Sequence, residues 1–283
     1  MRALPKLKPA EGDAAHAAAQ KVVEVHRRLA GFVKAGMTLA KVDAFVERTL
    51  TDLRCRSAFF GYRIKGHPPF PSHACLSLNH CVVHGTAGYH TKPLAAGDVL
   101  KLDIGVFNRV GNQEWVGDAG WTYSIGEPAP EVRRLMDCGK RAIAEGVAAM
   151  RPGSPYIGWA RAVQGRVEAS GFKCIERWGG HGIGTALHGP PHISNTVPRF
   201  PGEWPEAMNL WEPGVLVAVE PMLAMTTGET YQKFVPNTKD KVQDWPVYTQ
   251  DGSISVHYEH DVLITKDGPW VLTEGMDELP DVL

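Results

Sequence analysis

The 283-residue sequence predicts an α+β fold made of two similar halves. Three observations carry that expectation. Helix-periodic stretches come in pairs. Short strand-like segments follow each pair. The strands run in groups instead of alternating singly with helices.

The elements follow in order. Residues 11–35 place Ala18, Val22, Val25, Leu29 and Phe32 at helical spacing, with Gly36 as the expected stop. A second helix is expected from Thr38 to about Leu53. Segments 73–84, 98–107 and 114–125 are short, rich in β-formers and divided by Gly or Pro, as strands are. Helices are expected again near 129–150 and 155–170, separated by Pro152-Gly153-Ser154, with Ser154 as the N-cap. Segment 214–225 returns to strand. Residues 195–213 and 227–248 read as Pro-, Gly- and Trp-containing loops placed to cover a site. The expected organisation is one domain over residues 1–283, with residues 1–10 as an N-terminal tail.

Composition narrows the function classes. Apolar residues make up 43% and charged residues 22%, as in ordinary globular proteins. A formal net charge of -1 argues against a nucleic-acid or membrane surface. The N-terminus lacks a signal-like apolar core, and no apolar run reaches spanning length. Cys55, Cys75, Cys81, Cys138 and Cys174 are scattered and odd in number. Reduced thiols in a cytoplasmic protein fit them better than a disulfide framework. Function must therefore come from a site.

The candidate site is a set of acids in apolar segments. Asp103 lies in Lys-Leu-Asp-Ile-Gly-Val, Asp118 in Gly-Asp-Ala-Gly-Trp-Thr, Glu220 in Val-Ala-Val-Glu-Pro-Met, and Glu259 mid-strand in Ser-Val-His-Tyr-Glu-His. Singly, each has a commoner use: Asp in a turn or cap, Glu on an edge strand, His181 as a core or surface histidine. Jointly they need compensation, because each buried anion costs several kcal/mol unless paired (about that much). A divalent metal pair supplies it. Four carboxylates and an imidazole suit Mn, Co, Fe or Zn. Carboxylates also bridge ions roughly 3.5–4 Å apart, where a shared water becomes a hydroxide nucleophile. No cysteine cluster supports a structural zinc site.

These residues resemble the methionine aminopeptidases of the creatinase/aminopeptidase, or pita-bread, fold. The matching stretches are Cys75-Leu-Ser-Leu-Asn79 to Val83-His84-Gly85, Leu102-Asp103-Ile104-Gly105, Gly117-Asp118, Gly180-His181-Gly182-Ile183-Gly184 through His188, Val219-Glu220-Pro221-Met222 and Tyr258-Glu259-His260. They occur in family order over roughly residues 10–275. The resemblance implies a curved, mostly antiparallel sheet covered by two helix pairs with pseudo-two-fold halves. It implies two divalent ions: Asp103 bidentate on one, Asp118 and Glu259 bridging, His181 and Glu220 completing the other. Glu220 would also shuttle protons. His84 and His188 would contact the scissile amide and the tetrahedral intermediate. The implied activity is removal of N-terminal methionine from peptides and nascent proteins, by a monomer, with the ribosome as a candidate contact. The short N-terminus and small insert between Glu220 and Glu259 resemble type I.

Several positions depart from the family pattern. Val83 precedes His84, HGTAG follows, Leu187 adjoins His188, and Gly105 and Ala218 stand beside metal-ligand positions. Asn108–Trp115 reads as a β-hairpin extension, the Phe60–Phe70 loop is expanded, and Phe59 occupies a position often held by Cys. Tyr62, Phe70, Cys75, Leu187 and Trp245 are the candidate methionine-pocket walls. Rival readings are an Xaa-Pro aminopeptidase or prolidase of the same fold, and an inactive pita-bread binding protein. The first is disfavoured by having only about seventy residues before the first strand motif, the second by retention of all five ligands. A dinucleotide or phosphate binder finds no GxGxxG or P-loop string.

Overall fold

Apolar side chains recurring every three or four residues make four helices, each burying one stripe. The computed structural model of the chain describes residues 6–236 and 242–283. Helix α1 spans Pro9–Ala30 and α2 spans Leu39–Asp52. Helix α3 spans Pro130–Ala149 and α4 spans Ile157–Ala169. Proline opens α1 and α3, where a missing N–H costs no intrahelical bond. Thr38 caps α2, its hydroxyl accepting from the Lys41 N–H at 3.4 Å.

The named strand ladders are antiparallel. In the first half, Val99–Val110 pairs with Gln113–Ser124, Cys75–Leu78 and Arg56–Ser57. In the second, Leu216–Val219 lies between His260–Thr265 and Gly179–Gly182, with Gly189–Ser194 and Gly268–Val271 at the edges. A further sheet joins Ser255–His257, Met222–Ala224 and Lys173–Cys174. Helix α1 packs on the two long strands of the first half. Gly117 lets it come close, because a Cβ there would lie 2.6 Å from the backbone of Ala18 and Ala19. Asp118 is the next residue, so this contact fixes where its carboxyl starts.

The halves are stitched together beside that point. The Glu259 N–H donates to the Gly120 carbonyl at 2.8 Å. The Thr122 hydroxyl accepts from the His257 N–H at 2.9 Å and donates to the His257 carbonyl at 2.7 Å. Trp121 and Tyr258, both fully buried, meet edge to face at 4.8 Å across the same seam. Among the described residues, no helix is long and apolar enough to cross a membrane.

Five details differ from the sequence expectation. Helix α1 ends at Ala30 and not near Gly36. The Phe32 N–H tightens the last turn onto the Leu29 carbonyl, while the half-buried Phe32 ring stacks on Phe45 at 3.9 Å from a non-helical turn. Ser154 does not cap α4; its hydroxyl donates to the Arg151 carbonyl at 2.7 Å and closes the turn after α3. Segment 227–248 is not simply a loop: Thr230–Phe234 and Gln243–Thr249 pair, and the latter adds to Cys81–Val83. Its residues 237–241 lie outside the described residues, as do residues 1–5 of the expected tail, whose last two positions belong to α1. Glu259 is not mid-strand; it sits in the break between Ser255–His257 and His260–Thr265.

Candidate metal centre

Strand geometry brings the acids to one face. Asp103 pairs with Gly120, and Asp118 with Gly105. Opposed residues in an antiparallel pair share a face, as do residues two apart on a strand, so Asp103 and Asp118 lie diagonally on one side. His181 pairs with Ala218, two residues before Glu220. Glu220 falls in the break after Val219, where Asn195 Nδ2 donates to its carbonyl at 2.9 Å.

Asp103, Asp118, His181, Glu220 and Glu259 line one cavity of about 230 Å³, together with His84 and His188. His181 Nε2 lies 3.9 Å from Glu220 Oε1. Donor atoms of Asp118, His181 and Glu259 lie within 4.8 Å of one another, and so do those of Asp103, His257 and Glu259.

Electrostatics makes this cluster costly without a cation. Burial pushes Asp103 up to about 8, with the Glu220 charge adding to it. Asp118, Glu220 and Glu259 are pushed well above the carboxylate range, by burial first and by neighbouring acids second. Among the described residues, no Lys or Arg nitrogen comes within 4.0 Å of these carboxylates. Asp103 Oδ1 and Asp118 Oδ1 are buried without a hydrogen-bond donor. Burial pushes His181 down to about 3, holding it neutral, with Nδ1 on the Gly182 carbonyl at 3.2 Å and Nε2 toward Glu220. Hydrogen-bond-starved oxygens, a neutral imidazole and an absent counter-cation together fit divalent metal.

The flanking histidines and the apolar residues share the cavity. His84 has a left-handed backbone, φ 58°, and its ring meets Trp178 at 5.2 Å and Trp245 at 5.9 Å, both edge-on. Burial pushes it down to about 4. His188 Nδ1 hydrogen-bonds the Tyr62 hydroxyl at 2.7 Å, and its ring lies 4.3 Å from that of His181. Tyr62, Phe70, Cys75, Leu187 and Trp245 all line the cavity, joined by Phe59 and Ile64. Phe59 and Gly105 belong together: a Cβ on Gly105 would lie 2.5 Å from Phe59 Cε1. The bulkier residue at 59 occupies the space left by the bare backbone at 105.

Motif reasoning passes over two residues. The carboxylate of Asp261, behind the cluster, accepts the Asp118 N–H at 2.9 Å. His257 Nε2 approaches Glu220 Oε2 to 3.4 Å. The available signal for His257 was its spacing, since a residue two before Glu259 tends to point the same way.

A buried carboxylate–imidazole cluster at the floor of a half-apolar cavity defines a metal-dependent hydrolase. The chain belongs to metallopeptidase family M24, which it matches over residues 13–266, and family membership carries with it dependence on divalent metal. It is 32% identical to a methionine aminopeptidase of Aquifex aeolicus, over 91% of this chain and 93% of that one. The crystal structure of a methionine aminopeptidase from Thermotoga maritima superposes with a TM-score of 0.81 at 28% identity, covering 96% of this chain and 99% of that one. A prolidase from Pyrococcus horikoshii OT3 reaches 0.70 at 17% identity, with 97% of this chain and 65% of that one covered, a likeness of fold alone. The architecture is the pita-bread α+β fold expected from the motifs.

Proposed function

We propose that this chain is a type I methionine aminopeptidase that removes N-terminal methionine with the aid of two divalent ions. Asp103, Asp118, His181, Glu220 and Glu259 would hold them. When bound, such ions supply Lewis acidity and ease deprotonation of water near neutral pH. Co, Mn, Fe and Zn all suit the donor set. The observation that carries the reading is the convergence of these five donors beside an apolar wall in one cavity of about 230 Å³, a size suited to one side chain.

The chain's own groups take the remaining work. Glu220 is an acid whose raised proton affinity suits it to take and return a proton. His84 and His188 reach the cavity between wall and carboxylates, where one would donate to the scissile amide and the other would steady developing negative charge. The Tyr62 hydroxyl fixes the orientation of the His188 ring. Phe59, Phe70 and Trp245 exclude water from the methionine thioether. Tyr62, Cys75 and Leu187 complete that pocket. The reading extends to a monomeric, cytoplasmic, single-domain enzyme acting on nascent chains, with the ribosome as a candidate partner.

The test is a peptide panel (Met-Ala, Leu-Ala, Pro-Ala and Ala-Pro) with Mn- or Co-loaded protein and a chelator control. Methionine should be released fastest, and chelation should abolish activity. Preferential release of leucine or proline overturns the reading, and preferential cleavage of Ala-Pro supports the Xaa-Pro alternative.

A further inference from the structure

We propose that His257 is itself a ligand of the metal centre, giving the ion on the Asp103 side an imidazole of its own. This rests on the two-ion reading above.

The first support is an unmet need. Three histidines are buried among the described residues: His26, His257 and His260. His26 bonds the Tyr123 hydroxyl at 3.0 Å and the Ala119 carbonyl at 3.1 Å, and His260 bonds Thr273 at 2.8 Å. His257 is 1% exposed, yet neither of its ring nitrogens has a hydrogen-bond partner. Buried polar atoms without protein partners are rare, and coordination of an ion is one way to satisfy them.

The second support is direction. The backbone of His257 is clamped at both its N–H and its carbonyl by Thr122 and is paired with Met222. The ring is therefore aimed by fixed strands. Nε2 lies 3.4 Å from Glu220 Oε2 and 3.9 Å from Glu259 Oε2, in neither case with hydrogen-bond geometry. Donor atoms of Asp103, His257 and Glu259 lie within 4.8 Å of one another. Bonds of about 2.0–2.2 Å to one ion separate two donors by at most roughly 4.4 Å, so a small settling of side chains closes the set.

The third support is space. Gly120 faces the ring, and a Cβ there would lie 2.8 Å from His257 Cε1 and 2.9 Å from Nδ1. The bare backbone at 120 leaves the imidazole its place. The two imidazoles fall in different donor sets, His181 with Asp118 and Glu259 and His257 with Asp103 and Glu259, so His257 supplies the Asp103 side with the nitrogen donor it otherwise lacks. A nitrogen donor there favours Co, Fe or Zn over Mg or Ca.

Proton NMR of the protein loaded with two equivalents of Co(II), recorded in H2O, tests this. Each ligating imidazole contributes one exchangeable, strongly shifted N–H signal. Two are expected from the wild type, one lost in His257→Gln and the other in His181→Asn. Calorimetry should show the second Co(II) binding at least ~10-fold more weakly to His257→Gln. A single N–H signal from wild type holding two ions overturns the role of His257 and leaves the two-ion reading standing. Two signals that both survive in His257→Gln also overturn it. Failure to bind a second Co(II) defeats both. The wild-type count needs no variant to fold.

Discussion

Replacing Gly105 by alanine probes how the pocket and the metal centre are coupled. The new Cβ would lie 2.5 Å from Phe59 Cε1 and 3.0 Å from Cδ1 and Cζ. The backbone at 105 cannot retreat freely, because it is paired with Asp118. The ring must therefore withdraw by roughly 0.9 Å, the gap between 2.5 Å and the 3.4 Å of ordinary contact. Overpacking of this kind costs about 1–3 kcal/mol. Expressed in the pocket, it lowers kcat/KM on a methionyl peptide by roughly 5- to 150-fold. Expressed in stability, it lowers Tm by about 2–6 °C. Phe59→Leu shortens the ring side chain and should relieve the clash. The assay is a double-mutant cycle over wild type, Gly105→Ala, Phe59→Leu and the pair, read by kcat/KM and melting of the metal-loaded protein. The double variant should recover at least ~1 kcal/mol relative to additivity. A single Gly105→Ala variant within twofold of wild type and unchanged in Tm, or strictly additive effects, would refute the reasoning.

Three further outcomes follow from the same geometry. Glu220→Gln should lower kcat by about 10²–10⁴-fold, measured by peptide turnover at saturating metal; unaltered turnover removes its proton-transfer role. Tyr62→Phe removes a 2.7 Å hydrogen bond to His188 and should lower kcat/KM several-fold, by the ~0.5–1.5 kcal/mol of such a bond, with metal content unchanged; an equal loss of metal would assign Tyr62 to the metal centre instead. The pH dependence follows from the carboxyls. Their folded pKa values are raised, so their contribution to metal-free stability is full below the unfolded values near ~4 and is lost as pH rises, through about 8 for Asp103. Buried His181 and His257, pushed down to about 3, act oppositely and lose their contribution as pH falls below ~6.5. Between pH 6.5 and 8.5 the Tm gained on adding metal should therefore grow; equal gains at both ends contradict the assignment.

Much of this was legible in the sequence, for physical reasons that differ by residue. Asp103 and Asp118 could be read only jointly, because several acids set in apolar segments together need compensation, and strand alternation carried both to one face. The helix pairs followed from their apolar stripes. Local signals misled where tertiary contacts decided. Phe32 looked helical because it continues the apolar spacing, but it is half-buried from a turn by stacking on Phe45. Ser154 looked like a cap, but its hydroxyl donates back to the Ala149 carbonyl at the end of α3 and to Arg151 just beyond it. Gln243–Thr249 shows no alternation because Trp245 through Thr249 are all buried, so the strand was read as loop. The pairings of Phe59 with Gly105 and of His257 with Gly120 join distant segments. Each glycine looks unremarkable until the ring that fills its space is known.

The central claim is that five side chains from separate strands and strand breaks hold two divalent ions. A crystal of the protein soaked in Mn(II) or Co(II), with anomalous scattering measured at the metal edge, tests it most directly. The account predicts two peaks about 3.5–4 Å apart, enclosed by Asp103, Asp118, His181, Glu220 and Glu259. A single peak, or peaks away from these residues, would contradict it.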